Sequence, residues 1–191
     1  DSYKLRKVEI VGSGAAVPEN SVKSTIIDKE QGREAGYTES RTGVYSRHFV
    51  TTESASDLAI RAIEKALIAA DLSINDIDCL IAASGTMEQA IPYNASKIHS
   101  KLNFSLPIPS FDINMTCLSF LKALDIAALM INSEQHQTIL IVSSDIPSSG
   151  INRVDPETGG LFGDGAAAVI VTKSQQGNSG LHCFNFETHS E

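Results

Sequence analysis

Tryptophan is absent from this 191-residue chain, and cysteine is nearly so, with single residues at Cys79, Cys117 and Cys183. An odd count at unrelated spacings, with no Cys-x-x-Cys pair and no Cys/His cluster, argues against a disulfide framework and a structural zinc. A reducing compartment is expected, with the cytosol as the location. Long apolar runs are missing too. Segments such as Ile126 to Ile131 fall far short of the roughly 18 residues needed to cross a bilayer. Basic residues are in the minority, 15 Lys+Arg against 23 Asp+Glu, for a formal net charge of -8. No run of like charge concentrates that excess, so neither nucleic acid nor an anionic membrane is an expected partner. The opening Asp-Ser-Tyr-Lys-Leu-Arg-Lys carries no apolar signal region, so no secretory leader is expected there. No initiator Met is present, and a trimmed piece of a longer protein is the expectation.

What is abundant is core-forming material. Hydrophobic residues make up 42% and charged residues 20%, enough for one domain with a sizeable core and too apolar for disorder. Leu5 to Val11 reads as a first strand that stops at a Gly12-Ser13-Gly14 turn. A short helix is expected over Thr25 to Gln31, closed by Gly32, and an ordered loop over Arg33 to Thr52. Leu58, Ala59, Ala62, Ile63, Ala66, Leu67 and Ala70 recur at helical spacing behind a Ser54 or Ser56 cap. Asp76 to Ser84 is a continuous apolar run of strand length, suited to a parallel strand covered on both faces. A helix opening at Pro92, a short strand around Phe111 to Ile113, a long helix from Cys117 to Ile131 and a strand from Thr138 to Ser144 follow. Ala166 to Thr172 and Leu181 to Glu187 read as two adjacent final strands. Strand–helix alternation of this kind predicts an α/β fold: a mostly parallel sheet with helices on both faces.

Among residues that carry chemistry, Cys117 is the sharpest candidate. It follows a short strand and stands where a long helix begins. The positive end of the helix dipole stabilises a thiolate at that place, and thiolate is the nucleophile of covalent acyl transfer. The competing reading of a lone cysteine is a small buried hydrophobe. That reading is kept for Cys79 and Cys183. Gly12-Ser13-Gly14 lacks the third glycine of a dinucleotide loop, and Asp164 has no second carboxylate partner for acid/base work.

The residues around Cys117 are specific beyond their position. Asp112 to Leu124 (Asp-Ile-Asn-Met-Thr-Cys-Leu-Ser-Phe-Leu-Lys-Ala-Leu) resembles the nucleophile segment of the β-ketoacyl-acyl-carrier-protein synthase III family. Three further segments match in the family's order. They are Arg41-Thr42-Gly43-Val44 with Arg47-His48, Ala90-Ile91-Pro92, and Leu161-Phe162-Gly163-Asp164-Gly165-Ala166-Ala167-Ala168.

This resemblance implies one half of a thiolase-like fold, with a mixed, mostly parallel five-stranded sheet. Residues 1–191 would be the N-terminal half, and the family's homologous second half lies outside the chain. It implies fatty acid biosynthesis by decarboxylative Claisen condensation. Cys117 would take an acyl group from acyl-CoA, and malonyl acyl carrier protein would be the acceptor. No cofactor or metal is implied, coenzyme A entering as a substrate thioester. The family's histidine and asparagine partners lie in the second half. His48, His99, His136, His182 and His189 read as structural or solvated.

At the coenzyme A entrance, Arg41 is the family match for phosphate pairing, and Tyr37 stands where relatives usually have a stacking tryptophan. The relatives' second arginine near the adenine has no clear counterpart in this chain, although Arg153 is close. Ile91 and Leu118 fall at the acyl pocket. Relatives generally carry a small residue and then glycine after the cysteine, where this chain has Leu118 and Ser119. A homodimer is expected, with its interface on an edge strand at Thr138 to Ser144 or its neighbour. Two other readings stay open: transfer to a different acceptor in secondary metabolism, and a noncatalytic half-domain that acts as a dimerisation scaffold.

Overall fold

The computed structural model describes residues 5–155, 157–177 and 179–190, so Asp1 to Lys4, part of the leader reading, lie outside the described residues. In chain order the elements are β1 (Val8–Ala16), β2 (Ser21–Lys23), α1 (Ser24–Glu30), α2 (Tyr37–Thr42), β3 (Ser46–His48) and α3 (Ala55–Ala70). After them come β4 (Cys79–Ala82), α4 (Asn94–Lys101), β5 (Ser110–Asp112), α5 (Ser119–Asn132), β6 (Thr138–Asp145) and β7 (Gly165–Lys173).

The main sheet has five strands in the order β1-β7-β6-β4-β5. β4 pairs in parallel with β5 and β6, while β7 pairs antiparallel with β6 and β1. Four strands therefore run one way and β7 alone opposes them. The sheet is covered on both faces. Leu58, Ala62, Ile63 and Ala66 of α3, with Ile98 of α4, pack with Leu80, Leu140 and Ile170 on one side. Ala123, Ala127, Ala128 and Ile131 of α5 pack with Cys79, Ile81, Ile139 and Val171 on the other. β4 is buried at every position, as its unbroken apolar run predicts.

α3 starts where its sequence says it starts. The Ser54 hydroxyl accepts the Asp57 amide at 3.2 Å, and the Asp57 carboxylate accepts the Ser54 amide at 2.9 Å. Together they close a reciprocal cap.

Four expectations need correction. Gly12 and Gly14 do not end β1, which runs through them to Ala16. A β-carbon at Gly14 would lie 2.2 Å from the Ala62 carbonyl oxygen, and one at Gly12 2.4 Å from that of Ala66. The glycines are there because the backbone of α3 lies directly on the strand. The 33–52 loop holds two short elements, α2 and β3, the latter paired with β2. Leu181 to Glu187 forms no strand: Leu181 bridges Arg6, and the residues after it make no ladder. Their aromatic rings face cations instead, Phe184 under Arg6 at 3.9 Å and Phe186 under Lys122 at 4.8 Å. Finally, β6 is central in the sheet and both its neighbours, β4 and β7, are internal, so the edges are β1 and β5.

Candidate active site

β5 ends at Asp112, whose carboxylate accepts the Asn94 and Ala95 amides at 2.9 and 2.7 Å and so caps the start of α4. The chain then crosses to α5 through a single 3-10 turn, Thr116–Leu118. Cys117 sits in that turn, ahead of α5 rather than within its first turn, and it is exposed. Leu118 beside it is 42% exposed. Thr116 has φ 47, a left-handed conformation that is a true outlier for a β-branched residue. It costs on the order of 1–3 kcal/mol and persists only where its surroundings fix it. The loop after β4 supplies part of that surrounding. A β-carbon on Gly85 would lie 3.5 Å from the Thr116 carbonyl oxygen and 3.7 Å from Asp145 Oδ1. Asp145 in turn accepts the amide and hydroxyl of Thr86 at 2.6 and 2.7 Å.

The other cysteines differ. Cys79 is fully buried, and burial followed by the nearby Asp78 charge pushes its thiol up to about 12. It is inert near neutral pH. Cys183 is exposed but stands in the ladder-free terminal segment.

A second feature is a groove of about 520 Å³ whose walls include Gln31, Arg33, Tyr37, Arg41, Glu157 and Leu161. Tyr37 and Arg41 meet there, the guanidinium donating to the Tyr37 hydroxyl at 3.1 Å. Arg33 lies over the Tyr37 ring at 4.0 Å, within the range of a cation–π contact. Sequence reasoning missed Arg33, which falls in a stretch read as a loop with no periodic signal.

The groove is built on two buried charges. Asp28 accepts the Gly36 and Thr38 amides, both at 2.8 Å, and so holds the N-terminal end of α2. Burial opposes its ionisation, but the bonds from Thr38 and Gly36 and the charge of Arg33 hold its carboxyl below the usual range. Arg47 donates to the Ser24 and Thr42 hydroxyls at 2.7 and 3.0 Å. Its burial lowers its basicity, against the pull of Asp28.

Cys117, Leu118 and Ile91 stand outside the walls of that groove. Ile91 is 87% exposed on the loop before α4. Arg153, also outside the groove's walls, is engaged by Glu30 at 3.2 Å and lies over the Phe49 ring at 4.6 Å. Asp164 is buried and accepts the Val50 amide and the amide and hydroxyl of Ser148, at 2.9, 3.0 and 2.6 Å. It ties loops together. His48 Nδ1 lies 2.6 Å from the Pro18 carbonyl, His99 stacks on Phe104, His136 faces Asp78 and His189 faces Glu187.

Sheet order, covered faces and an exposed cysteine on the strand-to-helix turn define the class: a thiolase-type fold. The comparisons with known proteins narrow it. The family model for 3-oxoacyl-[acyl-carrier-protein] synthase III matches residues 111–190. The chain is 34% identical over 174 residues to a β-ketoacyl-[acyl-carrier-protein] synthase III of Rickettsia bellii, covering 91% of this chain and 54% of that protein. It is 32% identical over 184 residues to one from Clostridium perfringens, covering 96% and 56%. Among solved structures, the 3-oxoacyl-[acyl-carrier-protein] synthase III of Aquifex aeolicus superposes with a TM-score of 0.84 at 31% identity, over 88% of this chain and 55% of that one. The priming β-ketosynthase of the R1128 polyketide pathway also gives 0.84, at 26% identity, over 91% and 52%. The chain is similar to the β-ketoacyl-acyl-carrier-protein synthases III over nearly all of its own length and spans about half the length of the curated relatives it matches.

Proposed function

We propose that the protein is a condensing acyltransferase of fatty acid biosynthesis in which Cys117 accepts the acyl group. The observation that carries this reading is the exposed Cys117 on a strained turn between β5 and α5, inside the segment matched by the family model. The Cys117 sulfur attacks the carbonyl carbon of an acyl-CoA thioester. A new carbon–sulfur bond forms, and coenzyme A leaves as its thiol with the proton that Cys117 gave up. Malonyl acyl carrier protein then loses carbon dioxide, and the resulting carbanion attacks the acyl-cysteine, releasing a 3-oxoacyl carrier protein and the Cys117 thiolate, which takes a proton from solvent to restore the thiol. In this reading Arg41, Tyr37 and Arg33 bind the nucleotide end of acyl-CoA: a stacking ring flanked by two guanidiniums suits adenine and phosphate. Ile91 and Leu118 bound the acyl chain. The histidine and asparagine that assist decarboxylation in the family come from its second half, with residues 1–191 as the first.

The reading includes a homodimer in the cytosol. Its support is the open edge of β5, flanked by the exposed Ile91, Tyr93 and Leu106, since an uncovered edge strand invites pairing. Transfer to a different acceptor is a second reading, favoured by the bulky Leu118 beside the thiol. The test is turnover of acyl-CoA by the protein joined to its family-length continuation, with malonyl carrier protein or malonyl-CoA as acceptor. Formation of 3-oxoacyl carrier protein, lost in Cys117→Ala, is expected. Turnover that survives Cys117→Ala contradicts the reading.

A further inference from the structure

The turn that presents Cys117 is held by a side chain that the proposed chemistry has not used. Ser119 is 1% exposed and opens α5 two residues after the cysteine. Its hydroxyl oxygen accepts the Met115 amide at 2.8 Å. Its single hydroxyl proton has two carbonyls in reach, Thr116 at 2.7 Å and Ser84 at 3.3 Å, and the shorter contact takes it. These bonds grip the backbone on both sides of Thr116, the residue with φ 47. From outside the turn, the Asn114 side-chain oxygen accepts the Thr116 amide at 3.0 Å. The Leu118 amide closes the turn onto the Met115 carbonyl, also at 3.0 Å.

The clamp is anchored in the core. The Ser84 hydroxyl accepts the Ser144 amide at 2.9 Å, and the Ser144 hydroxyl donates to the Ala55 carbonyl at 2.6 Å. A buried line of hydrogen bonds thus runs from α3 through β6 to Ser84, just past β4, and the Ser84 carbonyl faces the Ser119 hydroxyl at 3.3 Å. A glycine at position 119 would have no atom to accept the part-buried Met115 amide, and an amide screened from water without a partner is costly.

We infer that Ser119 is a positioning residue: its buried hydroxyl fixes the left-handed twist at Thr116 and thereby aims the Cys117 sulfur. This rests on the reading of Cys117 as the acyl acceptor. A misplacement of about 1 Å at a reacting atom is enough to cost up to about a hundredfold in rate. Loss of the clamp therefore acts on the chemical step and not on acyl-CoA binding.

The experiment measures single-turnover acylation of the protein by acyl-CoAs from acetyl to decanoyl, in the unsubstituted chain and in Ser119→Ala, Ser119→Thr and Cys117→Ala. Ser119→Ala is expected to slow saturated acylation about tenfold or more at unchanged half-saturating acyl-CoA. Ser119→Thr, which keeps the hydroxyl, is expected to recover most of the rate. Hydrogen exchange in the unsubstituted protein tests the bond itself: the Met115 amide is expected to exchange slowly, and fast exchange overturns the clamp even if a variant folds poorly. An unchanged acylation rate in Ser119→Ala, or equal losses in the Ala and Thr variants, also overturns it. If Cys117→Ala is still acylated, the nucleophile reading fails as well. If acylation vanishes there while Ser119→Ala is normal, only the positioning role fails.

Discussion

Replacing Gly14 with alanine adds one methyl group where the structure has no room for it. The new carbon would stand 2.2 Å from the Ala62 carbonyl oxygen, 2.6 Å from the Ala66 amide nitrogen and 2.7 Å from the Lys65 β-carbon. None of these atoms lies at the free end of a side chain, so none can rotate away. Ordinary contact begins at about 3.4 Å, and β1 and α3 would have to part by about 1.2 Å. The helix cannot do that cheaply, because Ala59, Ala62, Ile63 and Ala66 are all fully buried against the sheet. A gap of that size forfeits a large share of the dispersion energy of every atom pair it opens.

Overpacking typically costs 1–3 kcal/mol, and backbone on both sides of this clash puts Gly14→Ala at the upper end, about 3 kcal/mol or more. For a chain of this size that lowers the melting temperature by about 6–12 °C. Gly177→Ala is the control, since a β-carbon there meets nothing within 4 Å, and it is expected to stay within about 0.5 kcal/mol of the parent. Thermal and urea unfolding of both variants are the assays. A Gly14→Ala protein that melts within a degree of the parent, or a Gly177→Ala protein that falls as far, would refute the close approach of α3 to β1.

Other perturbations separate the parts of the account. Arg41→Ala removes a guanidinium from the groove and is expected to raise the half-saturating acyl-CoA concentration about tenfold, the worth of a charge-assisted bond, with saturated acylation unchanged; a fall in the saturated rate alone would place Arg41 elsewhere. Bonds from Lys101 and Ser54 hold the Asp57 carboxyl well below the usual range. The stability it gives is complete above the unfolded value of about 3.9 and drains as pH falls through the lower folded value. Urea midpoints of Asp57→Asn are therefore expected to drop less on acidification below about pH 4 than those of the parent, and parallel curves would contradict the cap. Light scattering at micromolar concentration is expected to return twice the chain mass of 20.4 kDa, and a monomeric mass would count against pairing at the β5 edge.

The parts of this fold that sequence reveals are those set by local periodicity. α3 is legible because its apolar positions recur and Ser54 marks its start; β4 and β6 are legible because a buried strand needs an unbroken apolar run. What stays hidden depends on what packs from afar. Gly12 and Gly14 look like a turn until the α3 backbone is seen lying on them. The 181–187 stretch has the alternation of a strand, yet Phe184 and Phe186 serve as platforms for Arg6 and Lys122. At the site, the motifs point to Cys117, Arg41 and Tyr37. Arg33 and Asp28 carry no motif, and their part in the groove arises only when α1 and α2 come together. Ser119 does leave a trace, as a hydroxyl residue where the family generally has glycine.

The central claim is that Cys117, and neither other cysteine, forms the acyl thioester. The direct measurement is peptide mass mapping after incubation with acyl-CoA. The account predicts an acyl mass on the peptide that contains Cys117, no label on the buried Cys79, and complete loss of the adduct in Cys117→Ala. An acyl group on Cys79 or Cys183 that survives Cys117→Ala would contradict it.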